Sequence, residues 1–423
     1  MPIPGKDSLA YCARQSKRGG TNLGRSMATR ILVLNAGSSS LKFSVYKAAS
    51  PPVTEFAGWV SPMGPRARVR IVDRTGAVVQ DTPVAAANVR EAVSWVGQWY
   101  RLEFHPSAPD AVAHRVVHGG RQFTEATIVT PEVHAQLAGL ARWAPLHQPL
   151  SLDGIDVTRQ LWPTSLQVAA FDTAFHATLP ARARLFALPR RFAEEGLVRY
   201  GFHGLSFASV VRQLLAAAPE LYERKWVVAH LGSGSSLCAI EKGHSVATTM
   251  GLTPLDGVPM ASRCGSIDPG VLLDLLRHGG LSVDALEHLL YYESGLRGLS
   301  GISGDLRELE ASSDPRAHEA IEIFADRVGQ AIAALAAAVG GLDVLVFCGG
   351  IGENSASMRE RICAKLHWLG LELDRNANRQ PCGPISTSSS RVATWVIASD
   401  ENGEIARQTC ALLARTKSGS TTS

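Results

Sequence analysis

Four residues of this chain combine charge or a titratable ring with neighbours that leave room for a ligand. They are Arg115 in "AHRVVHGG", Asp172 in "AAFDTAFH", His203 in "RYGFHGLS" and Arg263 in "ASRCGSIDPG". Both arginines stand beside glycines rather than on a polar helix face, and a planar guanidinium fork next to a flexible turn suits capture of phosphate or carboxylate. A salt bridge to a nearby acid is the plainer alternative for each. Asp172 closes an apolar run, so buried pairing or a reactive role fits it better than simple solvation. A lone histidine such as His203 is more often structural than reactive. His118, His147, His176 and His230 enlarge the set, but their spacing offers no zinc site.

Three glycine turns stand apart from these residues in sequence, at Gly37, at Gly232 to Gly234 and at Gly349 to Gly352, each after an apolar run. Amides in tight Gly/Ser turns point into a concavity that favours anions, and serine hydroxyls add donors without bulk. Any one of these turns alone would pass as a hairpin or a strand-to-helix turn. Three together, at strand ends that an α/β sheet gathers on one side, point to phosphate binding. No GxxxxGK[ST] is present, and "CGGIGENS" lacks the third glycine of a dinucleotide fingerprint. The Ser39–Lys42 match to SxxK has no partner KTG and reads as chance.

The elements that must hold these residues alternate between strand and helix. "ILVLNAGSSSLKFSVY", "PVTEFAGWV" and "ARVRIVD" read as strands, a helical pattern follows near Val84–Trp99, and "DAVAHRVVHGG" and "LQVAAFDTAF" read as strands separated by helices. The second half restarts the same grammar in "KWVVAHLGSGSSLCAIEKGHSVATTMG", where His230-Leu-Gly-Ser matches Asn35-Ala-Gly-Ser. Two such turns in corresponding places predict a duplicated β-β-β-α unit with a cleft between the copies. A long helix is expected from Pro315, capped by Asp314 and stopped at Gly340-Gly341, feeding the strand before Gly349. No long Pro- or Ser-rich linker intervenes, so the two halves should share a cleft rather than swing on a tether.

The bulk numbers agree with an intracellular enzyme of more than one domain. The 423 residues are 45% hydrophobic, enough for a large core. Charge is balanced at 42 basic against 38 acidic residues, and the first 30 residues carry +5, leaving −1 for the rest. A basic nucleic-acid binder is therefore not indicated. Seven scattered cysteines without a CxxC pair read as reduced thiols. No apolar run reaches the roughly 18 to 20 residues of a membrane span. The arm 1–28 lacks an apolar signal core and reads as a disordered basic arm, with an organellar presequence or translation from Met27 as the alternatives.

With these residues assembled, the chain resembles the acetate kinases (acetokinase family) of the acetate and sugar kinase/Hsp70/actin superfamily. The carrying motifs stand in order: "LNAGSSSLKFSVY", "HRVVHGG", "APLHQP", "FDTAFH", "YGFHG", "AHLGSGSS", "TPLDGVPMASRCGSIDPG", "SGISGDLRELE", "GGIGENS" and "SDENGEIAR". The resemblance implies an α/β fold of duplicated β-β-β-α-β-α-β-α domains, actin-like ATPase or ribonuclease H-like, around a central cleft. It implies an N-terminal domain over 29–176 completed by a C-terminal helix at about 403–415, a nucleotide-binding domain over 177–402, and a disordered tail over 416–423. The expected reaction is reversible, direct in-line transfer of the ATP γ-phosphoryl group to acetate, giving acetyl phosphate and ADP, with Mg²⁺ as cofactor and Mn²⁺ as a substitute. A cytoplasmic homodimer, without membrane or nucleic-acid partners, is expected.

Carried over position by position, the resemblance gives Asn35 and Glu401 to the metal and phosphates, and Arg115 and Arg263 to the transferring group. Asp172 matches the active-site aspartate and His203 the transition-state histidine. Ser38, Ser40 and Lys42 fall on the first phosphate turn, and His230, Leu231, Gly232, Ser233 and Gly234 on the second. Asp305, Leu306, Arg307, Gly350, Ile351, Gly352, Glu353 and Asn354 correspond to the nucleotide side. Arg115, Val117, Leu146, Phe202 and Pro254 form the acetate pocket. Acetate is already anionic and needs no general base, so Asp172 is expected to orient an arginine or the metal shell. A phosphoryl group in flight needs positioning and charge neutralisation above all.

Some positions depart from the family pattern. Ser233 stands where Asn is usual, Leu205 and Phe207 where Thr and His are usual, Ser266 where Asp is frequent, and Gly349 where Ala is frequent. Leu205 and Phe207 are expected to withdraw polar support from His203. The alternatives to acetate kinase are a kinase preferring propionate or butyrate, and a non-catalytic nucleotide-binding homologue. Val117 argues for acetate, and the retained Arg115, Arg263 and His203 argue for catalysis.

Overall fold

In a computed structural model the described residues are 29–37, 40–381 and 383–419. The expectations for 1–28 and for Ser38 lie outside them. The described strands form two sheets. The first contains β1 (Arg30–Ala36), β2 (Leu41–Lys47), β3 (Val53–Val60), β4 (Arg68–Asp73), β5 (Val78–Pro83), β6 (Ala111–Val116), β7 (Thr127–Ile128) and β8 (Leu166–Phe171). The second contains β9 (Lys225–His230), β10 (Ser236–Glu241), β11 (His244–Thr248), β12 (Val344–Cys348) and β13 (Ala393–Val396).

The duplication expected from the paired turns is visible in strand order. The first sheet runs β5-β4-β3-β2-β1-β6-β8-β7 and the second β11-β10-β9-β12-β13, so β3-β2-β1-β6-β8 repeats as β11-β10-β9-β12-β13. Polarity repeats too. β1–β2 and β9–β10 are antiparallel hairpins, while β1–β6–β8 and β9–β12–β13 are parallel. The parallel strands are apolar runs because helices cover both their faces: β1 has five successive buried residues and β12 is buried throughout. Their carboxyl ends converge on one cleft, which is where Asn35, Arg115, Asp172, His230 and Gly349 fall in the chain.

Helices fix the two sheets to each other. Helix Pro315–Val339 begins as expected, with Asp314 accepting from the Arg316 amide and Pro315 in the first turn, and ends at Gly340 with φ 71°. Its Ile321, Phe324, Val328, Ile332 and Leu335 recur at helical spacing and bury against the second sheet. Helix Gly204–Ala217 is shared. Its Leu205 enters the core of β1, β6 and β8, whereas Phe207, Val210 and Leu214 enter that of β9, β10 and β12. The last helix, Glu401–Gly419, returns to the first sheet through Ile405, Ala406 and Leu413. It extends beyond 403–415 at both ends, so 416–419 of the expected tail is helical. No helix among the described residues is long and apolar enough to cross a membrane.

Candidate active site

The strand ends open on a polar cavity of about 710 Å³ whose wall includes Asn35, Ser40, Lys42, Arg115, His203, His230, Gly232–Gly234, Arg263, Gly350, Glu353 and Glu401. Residues up to 366 positions apart in sequence, Asn35 and Glu401, meet there through a 2.7 Å hydrogen bond from Asn35 Nδ2 to Glu401 Oε2. Asn35 Oδ1 accepts from Arg115 Nη1 at 3.2 Å. Arg115 then grips Asp172 with its other edge, Nε donating at 2.9 and 3.0 Å and Nη2 at 2.6 Å. The result is one connected line, Glu401–Asn35–Arg115–Asp172, across the ends of β1, β6 and β8.

The electrostatics follow from this line. Burial opposes the charge on Arg115 but is outweighed by Asp172 and Glu401, so its pKa rises and the guanidinium stays charged. Burial lifts the Asp172 carboxyl and Arg115 pulls against that rise. A two-pronged contact at 2.6 Å needs an acceptor-only carboxylate, so the pair is ionised. Burial also pushes Glu401 upward, but Arg115, His230, Asn35 and Lys42 together bring it below the ordinary range. Asp172 is thus the orienting partner of Arg115 that its surroundings suggested.

Arg263 is different. Its Nη1 donates to the Pro254 carbonyl at 2.9 Å and lies 3.7 Å from Met260 Sδ, with no carboxylate in reach among the described residues. Burial lowers its pKa, and Arg115 adds to the effect. A guanidinium so placed can receive an anion.

His203 caps helix Gly204–Ala217 in the left-handed conformation, φ 58°, which a non-glycine residue adopts only when its surroundings compel it. The compulsion is local: the Gly204 amide donates to the Asp172 carbonyl at 2.8 Å, and a Cβ on Gly204 would collide with that oxygen. His203 stacks on His230 with ring centroids 4.4 Å apart and planes at 23°. Burial holds His203 well below the ordinary imidazole value, with His230, Arg115 and Arg263 adding to it, and burial brings His230 down to about 4. Both rings are neutral at neutral pH.

Leu205 and Phe207 give His203 no polar support, as expected: their side chains lie in two hydrophobic cores. The imidazole is held instead by Ser236 of β10, with Oγ 2.8 Å from Nδ1.

The glycine turns line the same cavity. Gly37 closes the first turn by donating to the Ser40 carbonyl at 2.8 Å. Gly349 has φ 76°, and a Cβ there would lie 2.7 Å from the Leu231 carbonyl and 3.1 Å from His230 Nε2. Glycine at this position is required by this backbone, whatever relatives carry. The Gly349 and Ser399 amides both donate to Glu353 Oε1 at 2.9 Å, tying the third turn to the start of the last helix.

Other expected site residues are less directly placed. Leu231 and Leu306 bury their side chains in the second-sheet core, and the Leu231 backbone is taken up by Cys348, Ile351 and Gly352. Asp305 caps helix Leu306–Ala311 and pairs with the exposed Arg307 at 2.5 Å, and Asn354 Nδ2 donates to the Gly350 carbonyl. Asp305 and Arg307 do not line the cavity. Ile351 packs partly into the core and Gly352 is buried. Val117 and Phe202 form a buried cluster with Ala144, Met250 and Met260, and Pro254 meets Arg263 through its carbonyl; Leu146 is partly buried.

His147, Ser399 and Asp400 also line the cavity without having been singled out, although "APLHQP" and "SDENGEIAR" contain them. Burial, then Arg263 and Arg115, lower His147 to about 3. Ser206 carried no signal in sequence, because an apolar segment with a serine is ordinary, and Ser236 ends the "AHLGSGSS" turn without anything there to single it out.

Among the described residues no three His, Cys, Asp or Glu side chains gather as a metal cluster. Mg²⁺ does not require one, since it is commonly held by one or two carboxylates, waters and substrate phosphates. The ionised Glu401 carboxylate on the cavity wall, with Asn35 beside it, fits that donor set.

Comparison with known proteins agrees with this geometry. Residues 30–407 match the family described as the acetokinase family. The acetate kinase of Methylocella silvestris is 46% identical over 398 residues, 92% of this chain and 98% of that protein. The solved acetate kinase of Porphyromonas gingivalis superimposes with a TM-score of 0.80 at 34% identity, covering 91% of this chain and 100% of that one. A propionate kinase structure from Francisella tularensis gives 0.83 at 33% identity, covering 90% and 98%.

Proposed function

This chain belongs to the acetokinase family, and on that premise we propose that it moves the γ-phosphoryl group between ATP and acetate, reversibly and by direct in-line transfer. The observation that carries this reading is Arg263, a charged group with no acid partner, facing the Arg115–Asp172 pair across a cavity walled by glycine turns. A group passing between two anions needs such a charge complement, assembled before the reaction and away from bulk water.

The residues divide the work. The turns at Gly37, Gly232–Gly234 and Gly349–Gly350 make room for the phosphates on the wall that Lys42 and Ser40 share; the amides of Gly37, Gly232 and Gly349 are already bonded within the protein, so those of Ser233, Gly234 and Gly350 would be the donors. Arg115 and Arg263 neutralise the equatorial oxygens of the transferring group. His203 and His230 donate hydrogen bonds and exchange no proton, since acetate arrives ionised. Asp172 keeps the Arg115 fork aimed. Glu401 and Asn35 would hold Mg²⁺, which would supply positive charge to offset that of the phosphates. Asp305, Arg307, Gly350–Asn354 and the backbone of Leu306 bind the nucleoside end.

Val117 favours acetate over longer acids. It is 4% exposed and packs with Phe202, Met250 and Met260, an apolar set suited to a methyl group. One methylene is worth only about 1–3 kcal/mol in such a pocket, so propionate is a slower substrate rather than an excluded one.

We assign residues 29–176, completed by about 403–415 of the last helix, to an N-terminal actin-like domain and 177–402 to a nucleotide-binding domain, in keeping with the repeated strand order. A cytoplasmic setting fits the five described cysteines, all free thiols. A homodimer fits helix Pro269–Arg277, of which no residue is buried although Val271, Leu273 and Leu276 are apolar.

The test is chemical trapping. Purified protein with ATP, Mg²⁺, acetate and hydroxylamine should yield acetyl hydroxamate, faster than the propionyl or butyryl product. No hydroxamate from any of the three acids would overturn the catalytic reading.

A further inference from the structure

The stacked rings of His203 and His230 expose only one nitrogen each to the phosphate turns. A Cβ on Gly234 would lie 3.3 Å from His203 Nε2, and one on Gly349 would lie 3.1 Å from His230 Nε2. What these nitrogens can do depends on whether they carry the ring proton, and the opposite nitrogen settles that.

At His203, Nδ1 is 2.8 Å from Ser236 Oγ. Ser236 is fully buried, and this is the one hydrogen bond its hydroxyl makes among the described residues. A hydroxyl has a single proton to give. Were Nδ1 protonated, the ring would donate and the buried Ser236 proton would have no acceptor, a loss of about 1–3 kcal/mol. Ser236 therefore donates, Nδ1 accepts, and the ring proton sits on Nε2.

At His230 a longer relay reaches the same result. Ser399 Oγ donates to Ser206 Oγ at 2.8 Å, and Ser206 Oγ lies 2.8 Å from His230 Nδ1. Ser206 is fully buried, and its other neighbour is Cys348 Sγ at 3.7 Å, a weak acceptor. Having accepted from Ser399, Ser206 gives its own proton to Nδ1. The two relays come from different elements: Ser236 from β10, Ser206 from helix Gly204–Ala217, and Ser399 from the segment after β13.

We propose that Ser236, and Ser206 backed by Ser399, are positioning residues that fix both stacked histidines as Nε2–H donors, so that two parallel N–H groups face the transferring phosphoryl group. The proposal rests on the phosphoryl-transfer reading for the role of the donors, but the hydrogen-bond assignment stands on the serines alone. It also accounts for how His203 dispenses with polar neighbours at Leu205 and Phe207.

The experiment is a long-range proton–nitrogen correlation on protein labelled with ¹⁵N-histidine, with signals assigned through His203→Gln and His230→Gln. At pH 7 both residues should show an unprotonated Nδ1 and a protonated Nε2. In Ser236→Ala, His203 should turn into a tautomer mixture while His230 stays unchanged. Its kcat should fall about 10- to 100-fold, as when an outer partner that orients a histidine is removed, with KM for ATP little altered. Ser236→Thr, which restores a hydroxyl, should recover both the tautomer and the rate. A wild-type ring protonated on Nδ1, or a Ser236→Ala protein with an unchanged His203 tautomer, overturns the inference. An active wild type with the wrong tautomer sinks this inference alone, whereas an inactive wild type with both tautomers as stated sinks the kinase reading alone.

Discussion

Arg115 and Asp172 are joined by three hydrogen bonds, the shortest 2.6 Å, whereas among the described residues the Arg263 guanidinium across the cavity donates to a carbonyl and a thioether and to no carboxylate. Two arginines with the same proposed role therefore stand in opposite electrostatic situations. Replacing either should lower kcat by on the order of 10²-fold or more. Their effects on stability should part. Arg115→Ala leaves the buried Asp172 charge uncompensated and should cost about 3–5 kcal/mol, while Arg263→Ala removes a cation that no acid balances and should cost much less. Urea unfolding of both variants decides it, and equal losses would refute the asymmetry.

Gly349 offers a test of the third turn. At φ 76°, with the Leu231 carbonyl 2.7 Å from a would-be Cβ, alanine meets both an unfavourable backbone region and a close oxygen. Gly349→Ala should lose about 1–2 kcal/mol from the left-handed conformation alone, and weaken nucleotide binding because His230 Nε2 adjoins the same point. Calorimetric binding of ADP and the thermal midpoint should both drop.

The acid pocket predicts a shift in preference. Val117→Ala should raise the ratio of kcat/KM for propionate over acetate by about 10-fold, the lower end of what one methylene is worth. An unchanged ratio would move the acid pocket away from Val117.

Burial holds six histidines low: His203 well below its ordinary value, His147 at about 3, and His114, His118, His176 and His230 each at about 4 against the ordinary 6.5. With the folded values depressed, the unfolded chain binds protons that the folded chain refuses. Stability should therefore be lost as pH falls from about 6.5 to about 4, each of the last four contributing up to about 3 kcal/mol, and these groups should add no slope above 6.5. Unfolding midpoints across this window check it; a flat profile would contradict the burial. Because His203 is also held well below its ordinary value, kcat should show no inflection near pH 6.5.

Helix Pro269–Arg277 carries the dimer prediction. Leu273 and Leu276 are 49% and 37% exposed on a helix that buries no residue. In Leu273→Glu/Leu276→Glu a sedimenting dimer should become a monomer. A wild type already monomeric at micromolar concentration would remove the premise.

Much of this protein was determined by local sequence alone. The alternation of strand and helix, the duplicated turn at Asn35 and His230, the capped helix from Pro315 and the anion-friendly glycines are properties of neighbouring residues, and periodicity and turn chemistry expose them directly. Arg115, Asp172, His203 and Arg263 were legible for the same reason: each is an ionisable group in a setting too apolar or too glycine-rich to be solvent-facing by default. What the sequence could not express is partnership across distance. Arg115 pairs with Asp172 while Arg263 donates to a carbonyl, and Glu401 reaches Asn35 over 366 positions. Ser236, Ser206 and Ser399 orient two rings from three different elements. Hydrogen bonds act over about 3 Å in space without regard to chain separation, so only the packing of two sheets around one cleft could decide which serines meet the histidines and which arginine pairs with an acid.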